Sequence, residues 1–402
     1  MEKTSKDSNT SYTLKRNDNQ ALKLAEYARE FMLNGKPSAE VLERTKLFHS
    51  DALLCGLSAI AQRTNAPTVL REEALEYALE GSNGESIKKG YARVFGSDKL
   101  TIAEKAILAN CSAVREWDSN GTVFGYREGD KEHQAGEFGH NDFYAVVVAA
   151  SQQDECIDGA KALKAMVLLD EIRGRLAESF SLKTYQIDHV VHGAIASAVT
   201  YGLLLGATDE QIESAIGMVV AHYIPFRAIR SGKQLSDSKG ASAAISTEAA
   251  ILAINRSMRG FVGPKDIFRN PESIFRINEP TKGDSPFDLI LGFEGNDFAI
   301  MGMHFKLGLY EHQSAGAIHG LVKLIFDHKF VKNGDFENIK NINVLAYEPC
   351  FHIIGDPEKR NPTTRQSADH SMVYIRKFKI SLIFSFCNFE ESNRPRGPLL
   401  RN

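Results

Sequence analysis

The chain has 402 residues, of which 43% are hydrophobic and 25% charged, and its formal net charge is −3. These values are typical of a soluble protein of two or three domains, and they exclude the strongly basic surface of a nucleic-acid binder. No apolar run is long enough to cross a membrane, so no membrane partner is predicted. The cysteines, Cys55, Cys111, Cys156, Cys350 and Cys387, form no CxxC pair, which argues against a disulfide framework, a zinc ribbon and an iron–sulfur cluster.

Residues 1–18 are polar and rich in Ser, Asn and Lys, and we predict a disordered tail there. They lack the apolar core of a signal peptide, and the unpaired cysteines favour a reducing compartment, so a cytoplasmic location is predicted. The mitochondrial matrix stays open as a second location. Acidic residues in this segment, Glu2, Asp7 and Asp18, are unusual for a mitochondrial presequence.

Apolar residues recur at helical spacing through most of the next 240 residues. Helices are predicted over residues 19–33, 39–62, 67–80, 145–150, 157–180, from His189 onward, and over 241–258. Two sequence patterns, Thr101 with Glu104 and Thr208 with Gln211, are typical of capping boxes. The helix after His189 is rich in small residues that permit close helix packing, namely Gly193, Ala194, Ala196 and Ala198.

The composition changes after Arg259, where Gly and Pro become frequent. The run MGMHFKLG and the segment Ile339–Ala346 are predicted strands, with a helix over His312–Phe326 between them. Strand, helix and strand in this order predict a small α/β domain. The predicted fold is therefore mainly α: a large all-helical domain over residues 19–298, a smaller, partial α/β lid over 299–374, and a divergent tail over 375–402.

A long polar stretch, residues 115–144, lies between two apolar helical segments and contains Asp118, Asn120, Thr122 and His140. Polar inserts of this kind are commonly functional loops, and burying such groups is costly unless they meet a ligand or partner. We predict that the stretch forms one wall of a polar pocket, with His140 held near a helix N-terminus where anions are favoured. A solvated surface connection is the alternative.

Basic residues gather in the loop over residues 227–239, which contains Arg227, Arg230, Lys233 and Lys239 beside two glycines. Lys239 directly precedes a predicted helix, whose N-terminal dipole adds positive potential. The loop is a candidate site for binding carboxylates. A solvated basic surface explains the same pattern, because lysine and arginine are usually exposed.

His189 and His192 lie three residues apart and so share a helix face. There is no HExxH motif and no third ligand at suitable spacing, so no metal is predicted, and a structural role is the commoner one for such histidines. Lys306 lies in a predicted apolar strand, on the same face as His304. That position makes Lys306 a candidate for proton transfer.

The sequence contains no dinucleotide fingerprint, no Walker loop and no GxSxG motif. No cofactor is therefore predicted, and an enzyme built from these residues would use acids, bases and fixed cations. Proton removal beside a carboxylate fits this set, because the intermediate carries additional negative charge that cations stabilise.

Several blocks of the sequence together resemble the MmgE/PrpD family, and most closely its 2-methylcitrate dehydratase members. They are REWDSNGTVFG, GEFGHNDFY, YQIDHVVHGAIASA, RAIRSGKQLSDSKGASAA, GPKDIFRNP, HFKLGLYEHQSA and RNPTTRQSADHSMVYI. The resemblance covers roughly residues 20–374. It stops after Tyr374, where members of the family continue, and we interpret the tail as the product of a misjoined reading frame or altered splicing.

The resemblance implies a helical domain with an α/β lid, a homodimer, and a hydro-lyase that needs no metal or cofactor. The implied reaction removes water from 2-methylcitrate to give 2-methyl-cis-aconitate in propionate catabolism, through the methylcitrate cycle. A cis-aconitate decarboxylase or a related polycarboxylate lyase or isomerase is the alternative within the family. From another class, the chain could be a truncated, non-catalytic relative that only dimerises.

By matching blocks, the resemblance also implies which residues form the site. The pocket loop contributes Asp118, Thr122 and His140, and two lysines, Lys239 and Lys306, come from later segments. The candidate catalytic residues are His140, Lys306, Lys239 and Asp118. The candidate substrate-binding residues are Thr122, His189, Arg230, Lys233 and Asn120.

Overall fold

The computed structural model describes residues 10–82, 88–125, 137–230, 234–306, 308–328, 340–346 and 348–375. The chain divides into two compact units. The first consists of Met1–Ser231 and Asp237–Leu307, and the second of Gly232–Ser236 and Gly308–Asn402. The sequence-based boundary lies at residue 298, so Lys306, assigned there to the lid, lies in the first unit.

Helices dominate the first unit, and the mainly α prediction is confirmed. They are α1 Gln20–Asn34, α2 Ala39–Ala61, α3 Asn65–Glu76, α4 Ala103–Arg115, α5 Tyr144–Gln153, α6 Gly159–Ser179, α7 Val190–Leu204, α8 Asp209–His222, α9 Asp237–Met258 and α10 Ile274–Asn278. Short 3-10 segments occur at Leu182–Tyr185, Arg227–Ile229 and Ala299–Gly302.

Helix α7 is the centre of this core. Every residue from Val190 to Leu204 except Leu203 is buried, as expected for a helix that is apolar on all sides. Its small residues serve close packing: a Cβ built on Gly193 would lie 2.0 Å from Cζ of Phe143. The predicted packing role of the small residues is therefore confirmed.

The described residues of the first unit form four small sheets. Their strands are β1 Ser11–Leu14, β2 Lys36–Pro37, β3 Tyr91–Arg93, β4 Leu100–Ile102, β5 Thr122–Gly125, β6 Glu137–His140, β7 Leu289–Gly292, β8 Glu294–Gly295 and β9 Met303–His304. The pairs β1–β7 and β3–β4 are antiparallel and β2–β8 is parallel. Strand β5 lies between β6 and β9 and is antiparallel to both.

The two predicted capping boxes have different outcomes. Thr208 and Gln211 form the reciprocal pair of hydrogen bonds at the start of α8. Thr101 does not cap α4, because it lies in β4 and its hydroxyl donates to the carbonyl of Ala74 at 2.5 Å. A capping pattern can therefore also occur where a strand runs directly into a helix.

Three further predictions are wrong. Residues 10–18 are ordered rather than a disordered tail, since β1 pairs with β7; residues 1–9 lie outside the described part. Helix α9 begins at Asp237 instead of residue 241, which places Lys239 inside its first turn. The strand predicted over Ile339–Ala346 is not formed in its described part, residues 340–346.

The second unit contains α11 Ala315–His328, α12 Glu348–Ile353 and α13 Arg365–Ala368, with 3-10 turns at His312–Ser314 and Pro357–Arg360. Cys350, Ile354 and Met372 form a small core of their own. Residues 376–402 of the predicted tail lie outside the described part. No helix in the described segments combines the length and the apolarity that crossing a bilayer requires.

Candidate active site

Three buried cationic side chains of the first unit converge on Asp118. It follows the end of α4 by three residues, with φ at 49° in the left-handed region that aspartate tolerates better than most residues. Its carboxylate accepts hydrogen bonds from Lys239 Nζ at 2.9 Å, from Lys306 Nζ at 2.7 Å and from Arg115 Nη1. Lys306 Nζ also donates to the Asp118 carbonyl at 2.5 Å. One carboxylate thus holds three cationic groups.

These cations are almost completely removed from solvent. The side chains of Arg115 and Lys306 are 2% exposed and that of Lys239 is 4% exposed. Buried charges are costly unless they are compensated. Asp118 compensates part of this positive charge, and Asp142, beside Arg115, compensates a further part. A cluster of fixed, buried cations is chemically suited to binding an anionic ligand.

A second buried carboxylate adjoins this cluster. Asn120 Nδ2 donates to Asp142 Oδ1 at 2.6 Å, and Arg115 Nε lies 3.7 Å from Asp142 Oδ2. Burial raises the pKa of the Asp142 carboxyl, although Arg115 and the Asn120 amide act in the opposite direction. Arg115 therefore links the Asp118 cluster to Asp142.

Several polar atoms of the same loop are buried without a hydrogen-bond partner in the described chain. They are Oδ1 of Asn120, Oγ1 of Thr122 and Oδ1 of Asn141. Buried polar atoms are nearly always satisfied in folded proteins. Asn120 and Thr122 follow Asp118 closely in sequence, and the Asn141 N–H donates to the Gly121 carbonyl at 3.0 Å. This arrangement is consistent with a ligand whose hydroxyl or carboxyl groups would meet the three atoms.

The three-stranded sheet aligns two histidine positions with Thr122. The Cα of Thr122 is in register with His140 on β6 and with His304 on β9. Helix α5 begins only at Tyr144, so His140 ends a strand instead of lying at a helix N-terminus as predicted. The side chain of His140 is outside the described part of the structure.

His189 belongs to a second polar cluster at the start of α7. The guanidinium of Arg230 donates to both oxygens of Asp188, from Nη2 at 3.1 Å and from Nε, and His189 Nδ1 lies 3.5 Å from Asp188 Oδ1. Burial holds the pKa of His189 well below its usual value, and the charge of Arg115 adds to this effect. His189 is thus within electrostatic range of the Asp118 cluster.

The structure brings together part of the predicted site. Asp118, Lys239 and Lys306 are in direct contact, and Asn120 contacts Asp142 beside them. Arg230 is engaged by Asp188. Lys233 lies outside the described residues.

Sequence reasoning did not identify Arg115 or Asp142 as members of this cluster. Arg115 is three residues before Asp118 and contacts it. That spacing at a helix end is a usable signal. Asp142 offers no such local signal, because the contact with Asn120 depends on the pairing of β5 with β6.

Comparison with known proteins identifies the family. A family model described as the MmgE/PrpD N-terminal domain matches residues 22–283. Alkylcitrate dehydratase phiI of Fungal sp. (strain ATCC 74256) is 32% identical over 146 residues, which are 36% of this chain and 28% of the relative. The match thus spans less than a third of that relative's length. The family model covers well over half of the sequence, and the chain belongs to the MmgE/PrpD family.

Proposed function

We propose that the chain is a dehydratase of a citrate-type hydroxy acid, with 2-methylcitrate as substrate and 2-methyl-cis-aconitate as product. The observation that carries the proposal is the group of three buried cations, Arg115, Lys239 and Lys306, that contact the Asp118 carboxylate. The relative named as an alkylcitrate dehydratase supports the same class of substrate.

The reaction requires fixed positive charge. A base removes a proton from a carbon next to a carboxylate, the electron pair forms the new double bond, and the hydroxyl on the neighbouring carbon leaves as water after protonation. Negative charge builds up on the carboxylate beside the deprotonated carbon. Cations that are already in place stabilise this charge without reorganisation, and Asp118 holds Lys239, Lys306 and Arg115 in such a preorganised cluster.

Each candidate residue has a role in this proposal. His140 is the leading general acid or base, and the two lysines bind carboxylates or share in proton transfer. Asp118 and Thr122 orient the substrate. A further set binds its carboxyl and hydroxyl groups: Asn120, His189, Arg230 and Lys233. The depressed pKa of His189 keeps its imidazole neutral near pH 7, which suits hydrogen bonding to a hydroxyl group.

The substrate is tested by offering the purified chain 2-methylcitrate, citrate and cis-aconitate separately, with products identified by mass. Loss of one water from 2-methylcitrate supports the proposal. Loss of carbon dioxide from cis-aconitate favours the decarboxylase alternative instead. If none is converted and none raises the melting temperature, the result contradicts the proposal and favours the non-catalytic alternative, because a ligand that binds the folded state stabilises it.

The role of His140 is tested by His140→Ala. Loss of a general acid or base should lower kcat by roughly two orders of magnitude or more. His222→Ala is the matched control, because His222 is exposed at the end of α8. Turnover in His140→Ala equal to that in the control would remove this residue from the mechanism.

The same proposal includes the oligomeric state of the chain and its cellular compartment. The family resemblance suggests a homodimer that acts in the cytoplasm or the mitochondrial matrix, within the methylcitrate cycle. Light scattering on the purified chain gives its mass in solution, and a monomeric mass at micromolar concentration would contradict the dimer.

A further inference from the structure

One face of α2 contacts both segments that supply the Asp118 cluster. This face carries Arg44, Phe48 and Asp51, which follow one another at helical spacing. It meets the loop that contains Asp118 and the segment that contains Lys306. None of these three residues is among the candidate site residues.

The first contact is with the loop. The backbone N–H of Gly121, three residues after Asp118, donates to Asp51 Oδ2 at 3.1 Å. Gly121 also packs directly on Phe48, since a Cβ at this position would lie 2.4 Å from Cε1 of the ring. Asn141 Nδ2 donates to the Phe48 carbonyl at 3.0 Å. These contacts hold the residues that follow the left-handed turn at Asp118 against α2.

The second contact is with the segment before Lys306. Arg44 donates to the carbonyls of Ile300, at 3.2 Å, and Met303. The rings of Phe48 and Phe305 stack with their centroids 4.0 Å apart. The residue that directly precedes Lys306 is therefore fixed on the same helix face.

Asp51 is also electrostatically linked to Lys306. Burial raises the pKa of the Asp51 carboxyl, while the Gly121 N–H and the Lys306 ammonium act in the opposite direction. The same group of charges acts on Cys55, one turn further along α2: burial raises its pKa to about 12, with Asp51 adding to the shift and Lys306 opposing it. Asp51 is thus placed where it can act on both Gly121 and Lys306.

We propose that Asp51 is a positioning residue: its carboxylate fixes the Gly121 amide and thereby holds Asp118 in the geometry that gathers Lys239 and Lys306. The proposal rests on the proposed function in one respect only: which reaction depends on this geometry. Misplacing catalytic groups by about 1 Å can cost on the order of 100-fold in rate, so a residue that does not touch the substrate can still control turnover.

The positioning role is tested first without substrate, by hydrogen exchange at the backbone amides of residues 118–122. Asp51→Ala removes the acceptor, whereas Asp51→Asn keeps an oxygen that can accept from Gly121. Exchange should be at least about 10-fold faster in Asp51→Ala and within about twofold of the parent in Asp51→Asn. Glu43→Ala is the matched control, because Glu43 is an exposed residue of the same helix whose side chain pairs with Lys46.

The second measurement is steady-state turnover of 2-methylcitrate by the same variants. Asp51→Ala should lower kcat by about 10-fold or more and change KM by no more than about threefold, because the displaced cations act mainly on the charge that develops in the transition state. Asp51→Asn should recover most of kcat. A variant that was only less stable would also show a lower apparent kcat, because fewer molecules are folded. Its exchange, however, would become faster throughout the chain and not only at residues 118–122.

The outcomes separate the two proposals. Equal exchange in Asp51→Ala and Glu43→Ala, or equally fast exchange in Asp51→Ala and Asp51→Asn, overturns the positioning role. If the parent chain converts none of the three acids, the proposed function fails and the exchange data still decide the role of Asp51. If Asp51→Ala does not fold, Asp51→Gln replaces it: the displaced acceptor should give intermediate exchange, and exchange equal to the parent overturns the proposal.

Discussion

At the scale of single residues, the site depends on Asp118, whose carboxylate is shared by three buried cations. In the sequence, Asp118 belongs to a polar stretch between two apolar helical segments, and this contrast indicated it as a candidate site residue. It could not indicate Arg115 as a partner of Asp142, or Asp51 as a partner of Gly121, because these contacts join segments that only the tertiary fold brings together. The sequence thus indicated which residues could carry the chemistry, but it did not indicate which residues contact one another.

Asp118→Asn should destabilise the protein strongly. The substitution removes the carboxylate charge that the buried Arg115, Lys239 and Lys306 share, and breaking a buried ion pair costs roughly 3–5 kcal/mol. Urea unfolding measures the loss. Asp288→Asn is the control, because Asp288 forms an exposed pair with Arg16, and such pairs contribute about 1 kcal/mol at most. Equal free energies of unfolding of the two variants would show that the charge of Asp118 does not stabilise the cluster.

His192 should make the free energy of unfolding depend on pH. The residue is buried on α7, neither ring nitrogen has a hydrogen-bond partner in the described chain, and burial lowers its pKa to about 3. Its folded-state pKa lies below its ordinary value of about 6.5. The unfolded chain therefore binds the proton more readily, so stability is fully present above pH 6.5 and is lost as the pH falls toward 3.

His192→Leu tests this sign. Between pH 6.5 and 4.5, His192 should add a slope of up to roughly 1.4 kcal/mol per pH unit to the free energy of unfolding of the parent, measured in urea. This contribution should be absent in the variant. His222→Gln, at an exposed position, should keep the parent slope. A parent-like slope in His192→Leu would mean that this imidazole does not titrate differently in the two states.

At the scale of elements, local patterns were reliable where local chemistry decides the structure. Thr208 caps α8 because the bonds it needs lie within one turn. Thr101 shows the same pattern, but a neighbouring segment supplies the Ala74 carbonyl and β4 forms instead. The polar stretch after Arg115 was read as a loop, whereas its two strands depend on pairing with each other and with β9.

Gly193→Ala should lower stability through the packing of α7 against Phe143. The new Cβ would meet the ring at 2.0 Å, and such overpacking costs about 1–3 kcal/mol. Gly159→Ala in α6 is the control, because nothing lies within 4 Å of its added Cβ. Adding Phe143→Leu to Gly193→Ala should recover part of the loss in thermal unfolding. A Gly193→Ala variant as stable as the control would contradict this packing.

At the scale of the whole molecule, composition and helical periodicity were sufficient for the mainly α class. They were insufficient for the N-terminal segment. Ser11–Leu14 are too few and too polar to be recognised as a strand, and they become one because Leu289–Gly292 offers a complementary edge. Leu14 is 1% exposed, and its carbonyl accepts from Gln20 Nε2 at 3.2 Å.

Deleting residues 1–15 should therefore destabilise the first unit. Loss of β1 removes the buried Leu14 side chain, whose burial contributes roughly 1.5–3 kcal/mol to the free energy of unfolding. It also leaves the backbone groups of β7 that pair with β1 without their partners. The melting temperature measured by circular dichroism reports the effect. Deletion of residues 1–9 is the control, because it keeps β1 intact. Identical melting of the two deletions would show that the strand contributes nothing.

The pairing of β1 with β7 also sets an order of events during translation. The segment Ser11–Leu14 leaves the ribosome long before its partner Leu289–Gly292, which follows it by about 275 residues. At about 5–20 residues per second, the interval is roughly 15–60 s. Throughout that time the nascent chain carries an unpaired edge strand, a feature that chaperones shield from aggregation. Strand β1 thus becomes native only after a partner that is made much later.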